Sequence, residues 1–158
     1  GLQILKGKIK VNKKMSKFFI KKYYEPDLQL KFTNNLFKIA NTSIDISDGL
    51  IDDLKKMINR QNCSFYIFEE KIPLSKNLRE LINIKKLRKI NITSRGDDYQ
   101  ILFTASPIKS GIIKKISKNI GVKITKIGKI ISGKNNSKII SIKNEQIEAK
   151  NKGYIHRF

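Results

Sequence analysis

The sequence predicts a layered α/β fold in which helices pack on short strands, and three observations predict it. A strand-like run at 43–47 passes directly into an amphipathic helix at about 48–59. A second strand-like run, Cys63 to Phe68, follows within a few residues. Further on, a basic amphipathic helix at 107–119 leads into alternating residues from Val122 to Ile131. Helical and strand periods taking turns along one chain are the pattern of stacked layers. At 158 residues the chain is sized for one domain with a substantial core, and a second full domain is not expected.

Taken in order, residues 1–40 are helix-compatible pieces interrupted by Pro26. Phe18, Phe19, Tyr23 and Tyr24 recur near helical spacing before it, and Leu28, Leu30, Leu36 and Ile39 continue after it. Core packing is the expectation for these aromatics; stacking on nucleic-acid bases is the less favoured one, because the polar positions between them show no base-reading pattern.

The stretch Ser43-Ile44-Asp45-Ile46-Ser47-Asp48-Gly49-Leu50 puts polar groups at the junction of a strand and a helix. Alternation sends Asp45 and Ser47 to one face and Ile44 and Ile46 to the other, with Asp48 where the helix begins. Two carboxylates and a hydroxyl at one strand end suit Mg²⁺, a hard cation that prefers carboxylates, water and phosphate oxygens. Ser47 or Asp48 acting only as a helix cap fits the same residues, and at this point both readings stay open. In the helix, Leu50, Leu54, Met57 and Ile58 form the apolar stripe. Asp52 and Asp53 in the first turns, with Lys55, Lys56 and Arg60 later, read as helix support through the macrodipole.

Cys63 reads as a small core residue, and a helix starts near Ser75 after Pro73. The run Thr93-Ser94-Arg95-Gly96-Asp97-Asp98-Tyr99-Gln100-Ile101-Leu102-Phe103-Thr104 places two acids at the start of a strand, where a loop can aim them at a ligand; an acidic turn is the plainer reading. Gly128 to Asn135 nearly spells a phosphate-binding loop. It fails because Asn135 stands where a hydroxyl residue is needed and a turn follows in place of a helix. Gly133 to Ser137 is expected instead to be a hairpin turn between Ile127–Ile131 and Lys138–Ile142. The tail Gly153-Tyr154-Ile155-His156-Arg157-Phe158 reads as loose.

With 34 Lys and Arg against 13 Asp and Glu, the formal charge is +21 and the pI about 10.1. Such a charge favours polyanions, yet the lysines are spread from Lys6 to Lys152 without a dominant block, so a solvated surface is the favoured reading. A single Cys cannot form an internal disulfide, and a reducing compartment follows as the expectation. No apolar run approaches the roughly 20 residues needed to span a bilayer and no signal peptide is visible, so a soluble cytoplasmic protein with no membrane partner is expected. The absence of an initiating Met leads to the expectation of a fragment.

Taken together, Ile44-Asp45-Ile46-Ser47-Asp48-Gly49-Leu50, then Gly96-Asp97-Asp98-Tyr99 with Leu102-Phe103-Thr104, then Ile127-Gly128 and the terminal Gly-Tyr-x-His resemble the thiamine-monophosphate kinase family, within the superfamily of aminoimidazole ribonucleotide synthetase. The resemblance implies an α+β fold layered α/β/α, with a mixed sheet flanked by helices. It implies a helical connecting segment at 1–24 from an N-terminal domain that is not present, and a C-terminal α/β domain at 25–158. The activity implied is transfer of the γ-phosphoryl of ATP to thiamine monophosphate, giving thiamine diphosphate, with Mg²⁺ as cofactor and no activity without the N-terminal domain. Residue by residue, Asp45 and Asp48 resemble Mg²⁺ ligands and Ser47 an ATP contact. Asp97 resembles the acid that contacts the thiamine moiety, and Tyr154 the aromatic at the substrate end. No protein nucleophile is implied, since the substrate phosphate attacks. A homodimer of the full-length protein is also implied.

The sequence departs from the family pattern at Arg95, where a glycine is usual, at Gln100, where a glutamate is usual, and in the tail, with an extra residue before Phe158. Arg95 would crowd a close backbone approach or meet an anion. Two other readings stand beside the kinase: another ATP-using member of the same superfamily, and a basic nucleic-acid-binding module.

Overall fold

The computed structural model describes residues 1–59, 61–96 and 99–148. Asp97, Asp98 and Tyr154, and the tail with them, lie outside the described residues. Seven helices are described: α1 (Leu2–Leu5), α2 (Lys13–Tyr24), α3 (Leu30–Ile39), α4 (Leu50–Ile58), α5 (Lys76–Lys85), α6 (Lys89–Thr93) and α7 (Ser110–Ile120). The strands are β1 (Thr42–Asp45), β2 (Cys63–Phe68), β3 (Ile101–Thr104), β4 (Gly128–Ser132), β5 (Lys138–Ile140) and β6 (Gln146–Ile147). Local sequence explains several ends. Asn12 Oδ1 accepts the Met15 N–H at 2.9 Å and Ser75 Oγ accepts the Leu78 N–H at 3.2 Å, each satisfying a helix-start donor. Gly121, at φ +68°, closes α7 in the left-handed conformation.

β1 and β3 form an antiparallel ribbon that pairs Thr42 with Thr104 and Asp45 with Ile101. The ribbon separates two apolar layers. Leu102 joins a core built from Leu50, Ile51, Leu54 and Ile58 of α4, Phe65 and Ile67 of β2, Ile72, Ile90 and Ile139. Its neighbours Ile101 and Phe103 face the other way, onto Phe32 and Ile39 of α3 and Ile116 of α7, with the Phe32 and Phe103 rings 5.4 Å apart. Period-two alternation thus sends one strand's side chains to helices on both sides, and the expected α+β layering holds.

The second sheet is mixed, in the order β4-β2-β5-β6. β2 is antiparallel to β4 and parallel to β5. The expected hairpin between 127–131 and 138–142 is therefore corrected: β2 lies between the two strands. Ser64, fully buried, supplies the reason. Its Oγ donates to the Gly133 carbonyl and accepts the Asn136 N–H at 3.0 Å, while Ser137 Oγ accepts the Phe65 N–H at 3.2 Å. These bonds arch residues 133–137 over the start of β2, so the returning strand lands on its far edge. The rejection of Gly128–Asn135 as a phosphate loop stands, since Gly128 to Ser132 is strand.

The expectation that the α2 aromatics fill the core is also corrected. Met15 is the buried residue of α2, Phe18, Phe19 and Tyr23 are half-buried, and Tyr24 is 68% exposed. The Phe18–Phe19 and Tyr23–Tyr24 pairs pack edge to face on each other instead. Among the described residues no helix is long and apolar enough to cross a membrane.

Candidate functional site

The β1-to-α4 junction is built by two glycines and one buried acid. Beyond β1 the chain stays paired with the strand opposite: the Ile46 N–H donates to the Gln100 carbonyl and the Tyr99 N–H to the Ile46 carbonyl, both at 2.9 Å. It then turns at Ser47 and enters α4 through Gly49. Gly49 has φ +124° and ψ +146°, a region open in practice to glycine alone. A Cβ there would overlap the Ser94 carbonyl oxygen and lie 2.7 Å from its carbon. The approach is reciprocal, because a Cβ on Gly96 would overlap the Ser47 carbonyl oxygen and lie 3.1 Å from Asp48 Cα. Two segments that are about fifty residues apart in sequence thus meet backbone to backbone.

Asp53 holds this loop in place. Its carboxylate, 1% exposed, accepts the N–H groups of Ser47, Asp48 and Gly49 on Oδ2 at 3.0, 2.9 and 3.1 Å. Its Oδ1 accepts Lys56 Nζ at 3.0 Å, and the same ammonium pairs with Asp48 Oδ2. A carboxylate this buried requires such a full set of donors. Lys56 has its pKa raised above 10.5, first by the hydrogen bond to Asp48 and then by that to Asp53. Reading Asp53 as helix support understated its role. The available signal was its place three residues after Leu50 and one before Leu54, inside the apolar stripe. The simple capping reading is corrected too: α4 has no cap from Ser47 or Asp48, and Asp53 reaches back from within the helix to bind the loop.

This geometry decides which atoms can meet a ligand. The Ser47, Asp48 and Gly49 amides are consumed by Asp53, so the start of α4 has no free N–H groups at these positions to cradle an anion. The Ser47 carbonyl lies against Gly96. Ser47, Asp48, Arg95, Gly96 and Tyr99 line one part of an extended open cleft that runs along much of the chain. Asp45 is exposed at the end of β1, as alternation predicts, and is not part of that wall. Arg95 is exposed, so its side chain does not obstruct the loop contact; the contact falls on Gly96, which the sequence keeps. The Gln100 side-chain amide donates to the Asp27 carbonyl at 3.5 Å.

As a donor set, Asp45, Asp48 and Ser47 offer hard oxygen atoms of the kind Mg²⁺ takes. Among the described residues no three His, Cys, Asp or Glu side chains gather as a metal site. Asp48, in the cleft wall, is placed to offer such an oxygen and is paired to Lys56 as it stands, while Asp45 lies outside that wall.

The chain superposes over 99% of its length, at TM-score 0.76 and 24% identity, on 46% of AaThiL complexed with AMPPCP and TMP, a likeness of fold. No family model matches the chain. Sequence relatives narrow the likeness. The thiamine-monophosphate kinase of Buchnera aphidicola subsp. Acyrthosiphon pisum is 37% identical over 132 residues, 82% of this chain and 40% of that enzyme. Its counterpart from Buchnera aphidicola subsp. Schizaphis graminum is 34% identical over 160 residues, 99% of this chain and 48% of that enzyme. The chain is a sequence relative of the thiamine-monophosphate kinases, as its ordered motifs imply, and it spans about half the length of the curated relatives it matches.

Proposed function

We propose that this chain is the C-terminal part of a thiamine-monophosphate kinase, and that with an N-terminal domain it transfers the γ-phosphoryl of ATP to thiamine monophosphate. The observation that supports it best is the backbone contact between the Ser47–Gly49 loop and the Ser94–Gly96 loop, since it joins two of the family motifs at one cleft. In this reading residues 1–24 connect to the N-terminal domain and 25–158 form the C-terminal domain. A homodimeric full-length enzyme in the cytoplasm belongs to the same proposal.

The chemistry is attack by a phosphate oxygen of thiamine monophosphate on the γ-phosphorus, with ADP leaving. Both partners are anions, so positioning and charge compensation carry most of the catalysis. Mg²⁺, when bound, supplies that compensation and aligns the phosphates. Asp45 and Asp48 would each offer it a carboxylate oxygen, and Ser47 would offer its hydroxyl to the nucleotide. Asp53 keeps the loop in register through its three N–H bonds. Asp97 and Tyr154 are assigned to the thiamine moiety, the acid for its cationic or amino-bearing ring and the aromatic for its face.

The test is to express the longest open reading frame containing this segment and measure thiamine diphosphate formed from ATP, Mg²⁺ and thiamine monophosphate. Turnover is expected, and Asp45→Asn is expected to raise the Mg²⁺ requirement while leaving the circular dichroism spectrum unchanged. No product, together with ATP consumption on a different acceptor, would replace the reading by another ATP-using member of the superfamily.

A further inference from the structure

We propose that Asp53 and Lys56 are positioning residues for Asp48, with Lys56 competing against a divalent cation for the Asp48 carboxylate. The proposal rests on the kinase reading for the identity of the cation and phosphates, and on this chain's own contacts for everything else.

The two residues behave as a fixed arm and a movable arm. Asp53 is 1% exposed and accepts three backbone N–H groups on one oxygen. Turning the loop outward would strand a buried carboxylate, so the loop stays put. Lys56, one turn along α4, bridges Asp53 Oδ1 and Asp48 Oδ2, and its side chain is 51% exposed. Its flexible stem lets the ammonium swing into solvent without breaking the core. A divalent cation on Asp48 would meet that ammonium at close range, and like charges there repel. Lys56 must therefore leave as the cation arrives. Until then it neutralises Asp48, so an incoming phosphate group does not face a bare carboxylate at the cleft wall. Lys55 is the built-in comparison, for it pairs with Asp52 at 3.7 Å and has no bond to Asp48.

The experiment follows Mn²⁺, without nucleotide, through paramagnetic broadening of the Ile46 to Gly49 amide signals in the ¹⁵N-labelled 158-residue chain. Lys56→Met is expected to reach half-broadening at a Mn²⁺ concentration about three- to tenfold lower than wild type, a range set by removing one half-solvated charge at close distance. Lys55→Met is expected to shift the midpoint by less than about twofold, as for a charge outside the pair. Asp53→Asn is expected to speed hydrogen exchange at the Ser47, Asp48 and Gly49 amides by at least about tenfold, the loss of strong acceptors. Should Asp53→Asn lose its dispersed spectrum, the two lysine variants carry the test. Superimposable wild-type and Lys56→Met curves, including no broadening in either, overturn the proposal; so does an equal shift in Lys55→Met. A longer protein that makes no thiamine diphosphate while the Mn²⁺ curves stay separated sinks the kinase reading alone.

Discussion

Replacing Gly49 with alanine probes the loop contact most directly. The substitution meets two separate obstacles. The backbone at φ +124° and ψ +146° is one that L residues scarcely adopt, which costs about 1–3 kcal/mol. The new Cβ would also overlap the Ser94 carbonyl oxygen, with the carbonyl carbon at 2.7 Å and the Arg95 nitrogen at 3.3 Å. All three are backbone atoms, so no side chain can rotate away, and overpacking of this kind costs about 1–3 kcal/mol more. The sum, taken as about 3 kcal/mol, is a large share of the roughly 5–15 kcal/mol that holds a domain together. Urea denaturation followed by circular dichroism measures it. With a slope of about 1.5–2 kcal/mol per molar, the midpoint should fall by about 1.5–2 M. Gly111→Ala is the matched control: it lies in α7 with nothing within 4 Å of its added Cβ, so helix propensity should leave it neutral or slightly stabilised. A Gly49→Ala midpoint within about 0.3 M of wild type would refute the argument from backbone contact, since the same obstacles cannot cost almost nothing.

Ser64→Ala should cost about 1–3 kcal/mol, because it leaves the Asn136 N–H and the Gly133 carbonyl without their buried partner; faster hydrogen exchange at Asn136 would localise the loss. Lys89 carries a pKa lowered from 10.5, chiefly by burial and partly offset by Glu69 and Glu70. Between its folded value and 10.5 the unfolded chain binds more protons, so this group makes stability rise with pH across that window. Lys89→Met should flatten that rise, and parallel stability curves from the two proteins would contradict it. Ile39→Ala, at a fully buried site against Phe32 and Ile116, should lose about 2–5 kcal/mol in the same denaturation assay.

What sequence alone determined was local and periodic. The alternation of Ile44 and Ile46 with Asp45 sets which side of β1 is wet, the Leu50, Leu54 and Ile58 stripe sets which side of α4 is buried, and the ordered motifs carry the resemblance to the thiamine-monophosphate kinases. The first two properties depend on residues a few positions apart, where spacing is geometry. The tertiary structure decided what depends on contacts across the chain. It placed β2 between β4 and β5, because Ser64 ties down residues 133–137 and no local pattern records that bond. It assigned Asp53 to the loop and not merely to the helix dipole, because a buried acid chooses whichever N–H groups folding brings to it. It also showed that Gly96 meets Ser47 backbone to backbone while Arg95, whose nitrogen shares the contact with Gly49, is exposed, an arrangement set by a segment about fifty residues away. Local periodicity selects faces; only the packed chain selects partners, since burial makes unpaired polar groups costly and favours the arrangement that pairs most of them.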